Sequence, residues 1–435
     1  MASLPFVVEL ARDLIRLDTT NPPGEEHLAV ELIELLLRDS HIELARHESE
    51  PGRPNLVARV KGRGEAPPLL LQGHVDVVTT VNQDWRHRPF GGDIIDGYLW
   101  GRGALDMKSG VAMMVAATIR AHSRGGPPGD LVLAVLADEE AGGIAGAKWL
   151  VDAHPELFTG IHHAIGESGG VALHIGGRRF YPIMVSEKRG CQMVVTLRGP
   201  GGHGSIPARG GAMAKLGELL TTLDKSRLPV HITTPVKQQL ELMSDALDQP
   251  LKGRFSALLD PLRSDAALAE LGPMNRGLDA ALHNTVNATI VSGGLKVNVI
   301  PSEVRVQLDG RLLPGFGPED MLRELRAVVG PGPEIDVTLV GPAQPEVDLS
   351  QFDLFASVLK EADSGCVPVP SLVTGGTDAR HFARLGIRTY GFLPLNVPPD
   401  FNSSSTIHAA DERVPVRSLE FGAECVYEAV MRYRG

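Results

Sequence analysis

Five short segments of this sequence carry imidazole and carboxylate groups in arrangements that suit metal-assisted proton chemistry. In LLLQGHVDVV (residues 69–78) an apolar run ends, and His74 and Asp76 emerge two residues apart. Residues two apart on an extended chain face the same way, so Asp76 can accept the second ring N–H of His74, the pairing that orients a metal-bound imidazole. In WGRGALDMKSG, Asp106 stands in a glycine-rich loop just ahead of an apolar stretch. An acid there is also what an ordinary helix N-terminus selects. ADEEAGG (residues 137–143) sets Asp138, Glu139 and Glu140 after a strongly apolar run. Adjacent carboxylates can divide the work, one ligating a cation while its neighbour handles protons. Glu167 in AIGESGG and His408 in STIHAADE complete the set. Singly, each has an ordinary explanation, such as a satisfied core histidine or a solvated acidic loop. Jointly, two imidazoles and three or four carboxylates at strand-to-loop junctions suit zinc or another divalent first-row ion. Five side-chain ligands exceed the needs of one catalytic zinc and suit two ions, about 3.5–4 Å apart, that share a carboxylate.

The elements that would position these residues alternate. Apolar spacing predicts helices over 4–18 and 25–38, with a turn at TTNPPGE (19–25). Short β-like runs come after them at 42–45, 55–60 and 69–73, then a hairpin at 93–100 around Asp96-Gly97. Residues 107–121 read as a buried helix, and 131–137, apolar throughout, as a buried central strand. A helix over 144–153 and a strand over 162–166 come next. This alternation predicts an α/β fold, a mixed sheet flanked by helices. From residue 187 the pattern changes to β-α-β-β-α-β (191–199, 212–223, 287–292, 303–312, 318–329, 335–340), a ferredoxin-like unit interrupted by a mostly helical stretch at 229–282. Helix–strand alternation resumes beyond 345. The expected organisation is a catalytic domain in two parts, 1–186 and 343–435, with a lid domain, 187–342, inserted between them.

The 435 residues include 42 Lys and Arg against 53 Asp and Glu, a net charge of −11. That speaks against a general nucleic-acid binder, which needs a basic face. Hydrophobic residues at 43% and charged residues at 22% suffice for a sizeable core. Three cysteines, Cys191, Cys366 and Cys425, cannot form a disulfide framework, so a reducing, cytoplasmic setting is expected. Apolar runs such as 131–137 are too short to cross a bilayer, so no membrane partner is expected. The first segment carries Glu9, Arg12 and Asp13 inside its apolar stretch, unlike the uncharged core of a signal peptide.

GHVDVV, GRGALDMKSG, ADEEAGG, GESGG, GGHGSIP, LKVNVIP, GGTDARHF and IHAADE occur in that order over nearly the whole chain. With these motifs the sequence resembles the M20 family of co-catalytic zinc metallopeptidases, which includes aminoacylases, carboxypeptidase G and succinyl-diaminopimelate desuccinylase. ESGG, SEKRG, the long lid insertion and NATIVSGGLKVNVIP are most similar to the branch of carboxypeptidase S and the N-acyl-amino-acid amidohydrolases. The resemblance implies that His74 and Glu167 bind one zinc, Glu140 and His408 the other, and Asp106 both, with cobalt or manganese as alternative metals. It implies Glu139 as general base and then acid, and Asp76 as partner of His74. His203, in GPGGHGSIP, resembles the residue that polarises the scissile carbonyl and that in dimeric relatives reaches the other subunit's site. Asn298 and Arg311 resemble lid residues that contact substrate, and Gly375, Gly376 and Thr377 a loop near the substrate carboxylate. The Asp106–Met107 peptide should be cis.

The resemblance thus implies a di-zinc metallohydrolase cleaving the amide bond of a small N-acyl amino acid or short peptide with a free carboxylate. Arg311 suits such a carboxylate, since a guanidinium holds one through two parallel hydrogen bonds, although a surface ion pair would explain it equally. A homodimer through the lid is implied by relatives, while the 229–282 insertion offers helices that would fill the partner's place. Two other readings share the fold: a non-catalytic metal-binding or scaffold protein, and an N-acyl amino acid synthase working in reverse. A TIM-barrel amidohydrolase would offer His-x-His where this chain has His74 and Asp76.

Overall fold

The computed structural model describes residues 4–272, 276–343 and 345–435. Residues 273–275, part of the stretch expected to be mostly helical, lie outside the described residues. Three strands organise the centre. Leu131–Leu136, Leu69–His74 and His163–Gly166 are parallel neighbours in the main sheet. Each is buried along its whole length. Alternate residues explain why these runs are apolar without interruption. Leu69, Leu71, Leu131, Leu133 and Val135 enter one core, and Leu70, Val132, Ala134 and Leu136 the opposite one. A strand covered on both faces has no polar side to show.

The first core is roofed by Phe6–Ile15, Lys108–Ser123 and Val416–Arg432, the second by Ala147–Ala153 and the Phe158 and Phe382 side chains. Antiparallel strands Glu43–Glu48 and Pro54–Val60 extend the sheet at one end. At the other end lie Arg388–Gly391, Arg178–Glu187 and Val367–Val373. The sheet is therefore mixed and flanked by helices, as the alternation predicts. Sequence patterning does not reveal Arg178–Glu187 or Val367–Val373, because Pro182, Pro368 and Pro370 interrupt them. Val367–Val373 is the last strand of the sheet, a position where proline's missing N–H leaves no central ladder bond unmade.

Lys188 alone separates Arg178–Glu187 from Arg189–Arg198, the first strand of the inserted unit. That unit contains Ala212–Lys225, Thr285–Gly293, Glu303–Leu312, Pro318–Val329 and Glu334–Val340. Its strand order is Thr285–Gly293, Glu303–Leu312, Arg189–Arg198, Glu334–Val340, with every neighbouring pair antiparallel. Glu303–Leu312 buries Val304, Val306, Leu308 and Leu312 at period two, against Met321 and Leu325 of the helix Pro318–Val329.

The insertion between Ala212–Lys225 and Thr285–Gly293 supplies the helices Thr234–Ala246, Leu251–Ala257, Ser264–Leu271 and Arg276–Leu282. These pack on the main sheet's end: Val236, Leu240, Met243 and Phe255 join Phe180, Val369 and Leu372 in one core. The insertion thus covers an edge of the main domain. Thr285–Gly293 stays exposed from Asn287 onward, with Ile290 and Val291 about half exposed and Leu295 and Val297 beyond it fully so.

Candidate metal centre

The carboxyl ends of the three parallel central strands open side by side, where open α/β sheets place their ligands. From them emerge His74 to Asp76, Asp138 to Glu140, and Glu167. Asp106 sits immediately before the helix Lys108–Ser123, and the Asp106–Met107 peptide is cis. His408 is brought to it by a separate device. Arg413–Pro415 pairs with Tyr98–Trp100, so the segment before Arg413 and the segment after Trp100 run out together.

Two groups of ligating atoms result. His74, Asp106 and Glu167 present theirs within 4.8 Å of one another, as do Asp106, Glu140 and His408. Asp106 belongs to both, with Oδ1 at 3.2 Å from His74 Nε2 and Oδ2 at 3.1 Å from His408 Nε2. His74 Nε2 is 3.8 Å from Glu167 Oε2, and His408 Nε2 is 3.3 Å from Glu140 Oε2. The five residues expected to bind metal therefore converge in space from across the sequence.

Two buried carboxylates outside this set hold its backbone. Asp76 Oδ1 accepts the Glu139 N–H at 3.1 Å, and Oδ2 accepts the Glu140 N–H at 3.1 Å and the Asn21 side-chain N–H at 2.9 Å. The expected contact with His74 is made differently: Nδ1 lies 3.0 Å from the Asp76 carbonyl and 3.4 Å from its carboxylate. Asp76 thus fixes the His74 ring through its main chain and spends its carboxylate on the loop carrying Glu139 and Glu140. Glu412 does the same for Asp106. Its oxygens accept N–H groups of Gly103, Leu105 and Asp106 and pair with Arg102 Nη1 at 2.6 Å. Sequence reasoning singles out neither Glu412 nor Asn21. Glu412 ends the IHAADE motif, and Asn21 sits in a segment whose prolines mark only a turn.

The electrostatics fit cations. Burial, reinforced by Glu167 and Asp378, pushes the Glu139 carboxyl up to about 9. Burial pushes Glu167 up as well. Hydrogen bonds with Asp106 and Glu140 hold the His408 imidazole up at about 10. Burial opposes ionisation of Asp106, but hydrogen bonds from His408 and His74 outweigh it and keep that carboxyl low. Glu140 Oε1 is buried without a hydrogen-bond partner. A crowd of carboxylates with an orphaned oxygen and a retained proton is short of positive charge, and the N/O donor set suits divalent ions.

The segment GGTDARHF docks against this loop. Thr377 N and Oγ1 both donate to Glu187 Oε2, at 2.8 and 2.9 Å, and His381 Nε2 lies 3.0 Å from the Gly142 carbonyl. Arg380 Nη1 comes within 3.6 Å of Glu139 Oε1. Asp378 is buried with neither oxygen hydrogen-bonded, and burial raises its carboxyl to about 8. Asp378 and Arg380 are thus neighbours of Glu139 that sequence reasoning leaves without a role, although both stand in the GGTDARHF motif. Gly375 and Gly376 precede Thr377 in an exposed turn.

The structure does not bring the residues expected from the inserted unit to the cluster. His203 and Asn298 are neighbours, since Gly202–His203 pairs with Val299–Ile300 and Gly204 N donates to the Asn298 carbonyl at 2.8 Å. Both are exposed. His203 Nδ1 engages Ser205 Oγ at 2.8 Å, and among the described residues Nε2 has no partner. Arg311 is half-exposed and bound through two hydrogen bonds, 3.0 and 3.1 Å, to Asp309. The ion pair that would equally explain this arginine is therefore present.

Among the described residues no helix is long and apolar enough to cross a membrane. Residues 70–432 match the family model described as Peptidase family M20/M25/M40. Among curated proteins, the chain is 25% identical over 410 residues to a probable carboxypeptidase S-like 2 of Dictyostelium discoideum, covering 86% of this chain and 74% of that protein. It is 29% identical over 433 residues to a succinyl-diaminopimelate desuccinylase of Cereibacter sphaeroides, covering 98% of each. Among solved structures, an M20 family metallo-carboxypeptidase of Sulfolobus solfataricus superposes with a TM-score of 0.69 at 17% identity, covering 98% of this chain and 99% of that one.

Proposed function

The chain belongs to peptidase family M20/M25/M40, and from that membership and the geometry of the cleft we propose that it is a di-zinc hydrolase cleaving the amide bond of N-acyl amino acids or short peptides with a free carboxylate. The observation that carries the reading is the shared Asp106, whose two oxygens face the two imidazoles from opposite ligand groups. His74 and Glu167 would hold one cation, Glu140 and His408 the other, and Asp106 both. When bound, such a pair of ions, zinc with cobalt or manganese as alternatives, lowers the pKa of a shared water and polarises a carbonyl.

The rest is work for the chain's own groups. Glu139 takes a proton from the attacking water and delivers it to the leaving nitrogen as the C–N bond breaks. Its neighbour Asp76 keeps it aimed by accepting its backbone N–H. His203 donates to the developing oxyanion. Thr377 and the glycines before it, with Asn298 and Arg311 from the lid, contact the substrate's carboxylate half. We read the inserted unit as a ferredoxin-like lid, on the strength of its strand order and its two crossing helices.

A homodimer through the lid belongs to the same reading. The insertion helices leave residues 287–293 exposed, Ile290 and Val291 about half so, and an exposed sheet edge is a pairing surface. His203, exposed beside that unit and without a partner at Nε2, would then serve the partner's cleft. Val291→Lys is expected to shift the chain from dimer to monomer in analytical ultracentrifugation and to lower activity in step with dissociation. A monomeric variant with full activity would remove the trans role of His203.

The reading is tested by a hydrolysis screen of N-acyl amino acids and dipeptides with added zinc, with and without chelator. Hydrolysis that chelator abolishes and zinc restores is expected. Bound metal without turnover of any substrate would favour the non-catalytic alternative, and net condensation at high product concentration the synthase. Two arginines compete as carboxylate anchor. Arg311 must leave Asp309 to serve, whereas Arg380 already lies beside Glu139. Arg380→Ala is expected to raise KM for free-carboxylate substrates about ten- to hundredfold, the worth of a hydrogen-bonded charge, and to leave the carboxamide analogue unchanged. The same pattern in Arg311→Ala alone would place the anchor on the lid.

A further inference from the structure

The geometry points to Arg53 as the residue that aims Glu139, a positioning residue acting through Asp138; the inference rests on the amide-hydrolase reading above. Asp138 is where the chain turns out of the central strand Leu131–Leu136 toward Glu139 and Glu140. It does so with φ at +69°, a left-handed conformation uncommon for a residue other than glycine. Such a conformation persists only where the surroundings enforce it, and it sets the direction of the residues that follow. Asp138 is buried, and its N–H, its carbonyl and both carboxylate oxygens are engaged. Arg53 grips it twice. Nη1 lies 2.9 Å from Asp138 Oδ1. Nε and Nη2 donate to the two oxygens of Glu26, and Glu26 Oε1 in turn accepts the Asp138 N–H at 3.3 Å. One guanidinium thus fixes both the side chain and the main chain of Asp138, a reach that its planar fork permits and a lysine ammonium does not. Glu26 is fully buried, and among the described residues Arg53 is the only cation paired with either acid.

The turn TTNPPGE (19–25) is built around this fork. Gly24 has φ at +86°, and a Cβ there would stand 2.5 Å from Arg53 Nε, so glycine lets the guanidinium through. Thr19 Oγ1 anchors the turn on the Val75 carbonyl at 2.5 Å, and the Asn21 N–H reaches the Val77 carbonyl at 2.9 Å. Asn21 then closes the clamp from the other side. Its amide donates to Asp138 Oδ1 at 3.1 Å and to Asp76 Oδ2 at 2.9 Å, and Asp76 holds the Glu139 N–H. Arg53, Asp138, Asn21 and Asp76 therefore form one chain of contacts that ends on the backbone of Glu139. Charge balance alone would also put an arginine beside two buried acids. The two roles differ in what happens when the charge is kept and the fork removed, or when the arginine and Glu26 are removed together.

Arg53→Met alone would leave two buried carboxylates without a cation and endanger the fold. The test therefore uses Arg53→Lys, which keeps the charge, and the double variant Arg53→Met with Glu26→Gln, which removes charge and counter-charge together. At saturating zinc the double variant is expected to lower kcat about 10- to 100-fold, the usual worth of a group that orients a site residue. Arg53→Lys should lower it about tenfold. KM should stay unchanged in both, because neither Arg53 nor Glu26 lines the pocket beside Asp106 and Glu167. Hydrogen exchange in the metal-free proteins reads the clamp without turnover. Amides of residues 138–143 should exchange about tenfold faster or more in both variants, while those of Leu69–His74 keep the wild-type rate. Wild-type kcat in Arg53→Lys or in the double variant would reduce Arg53 to charge balance and overturn the proposal. A raised KM at unchanged kcat would overturn it too, as would exchange at the wild-type rate over 138–143. If the wild-type protein cleaves no amide, the hydrolase reading fails, and hydrogen exchange alone decides the clamp. If the double variant does not fold, Arg53→Lys decides by the same readouts.

Discussion

Replacing Glu139 by Gln is expected to lower kcat by about 10²–10⁴-fold, the contribution of a positioned general base, while bound metal stays near the wild-type level. The reason is positional. Glu139 is held by its own N–H to Asp76, faces Arg380, and is absent from both groups of ligating atoms. Its neighbour Glu140 is in one of them. Two adjacent glutamates thus differ in position relative to the candidate ligand groups, and glutamine keeps the shape of the side chain while removing its basicity. Steady-state kinetics with metal analysis of the same preparation read both quantities. Loss of metal together with activity would make Glu139 a ligand, and unchanged kcat would remove it from proton transfer.

Asp76→Ala is expected to be nearly as damaging by a different route. The substitution strands the N–H groups of Glu139 and Glu140, leaves the Asn21 amide with Asp138 alone, and removes the carboxylate 3.4 Å from His74 Nδ1 while the main-chain carbonyl that holds the ring stays. Partners of this kind typically contribute about 10- to 100-fold to metal affinity, so chelator competition should show a loss of that size. Saturating metal should not restore kcat, because Glu139 would remain misplaced. Full recovery of kcat at high metal would confine Asp76 to orienting His74. Asp76→Asn, which keeps one acceptor oxygen, should fall between wild type and Ala.

How much of the fold and the site is readable from the sequence depends on where the constraint lies. The central strands are legible because burial on both faces leaves no polar interruption, as in Leu131–Leu136. The candidate ligand residues are legible because most of them stand where such a strand stops or a buried helix begins. Val367–Val373 is not, since its prolines speak against a strand unless it lies at an edge, and edge position is a property of the whole sheet. Glu412 is hidden for a similar reason. An acid beside a histidine motif carries no mark of the backbone amides it will accept more than 300 residues earlier in the chain. The Asp76 carboxylate shows a subtler limit: spacing places it beside His74, but only the fold reveals that its shortest bonds go to Asn21 and the next loop. Arg311 carries the right chemistry for an anchor, yet two residues away in the same strand Asp309 faces the same way and takes it.

Two cations sharing Asp106 are the premise of the proposed hydrolysis, so counting them is the decisive measurement. Chelator-stripped protein titrated with zinc, with bound metal per chain measured by elemental analysis alongside activity, should bind about two ions as activity rises to its plateau. Asp106→Ala should lose both together. Full activity at one ion per chain, or an Asp106→Ala variant that still binds two, would contradict a shared bridging carboxylate.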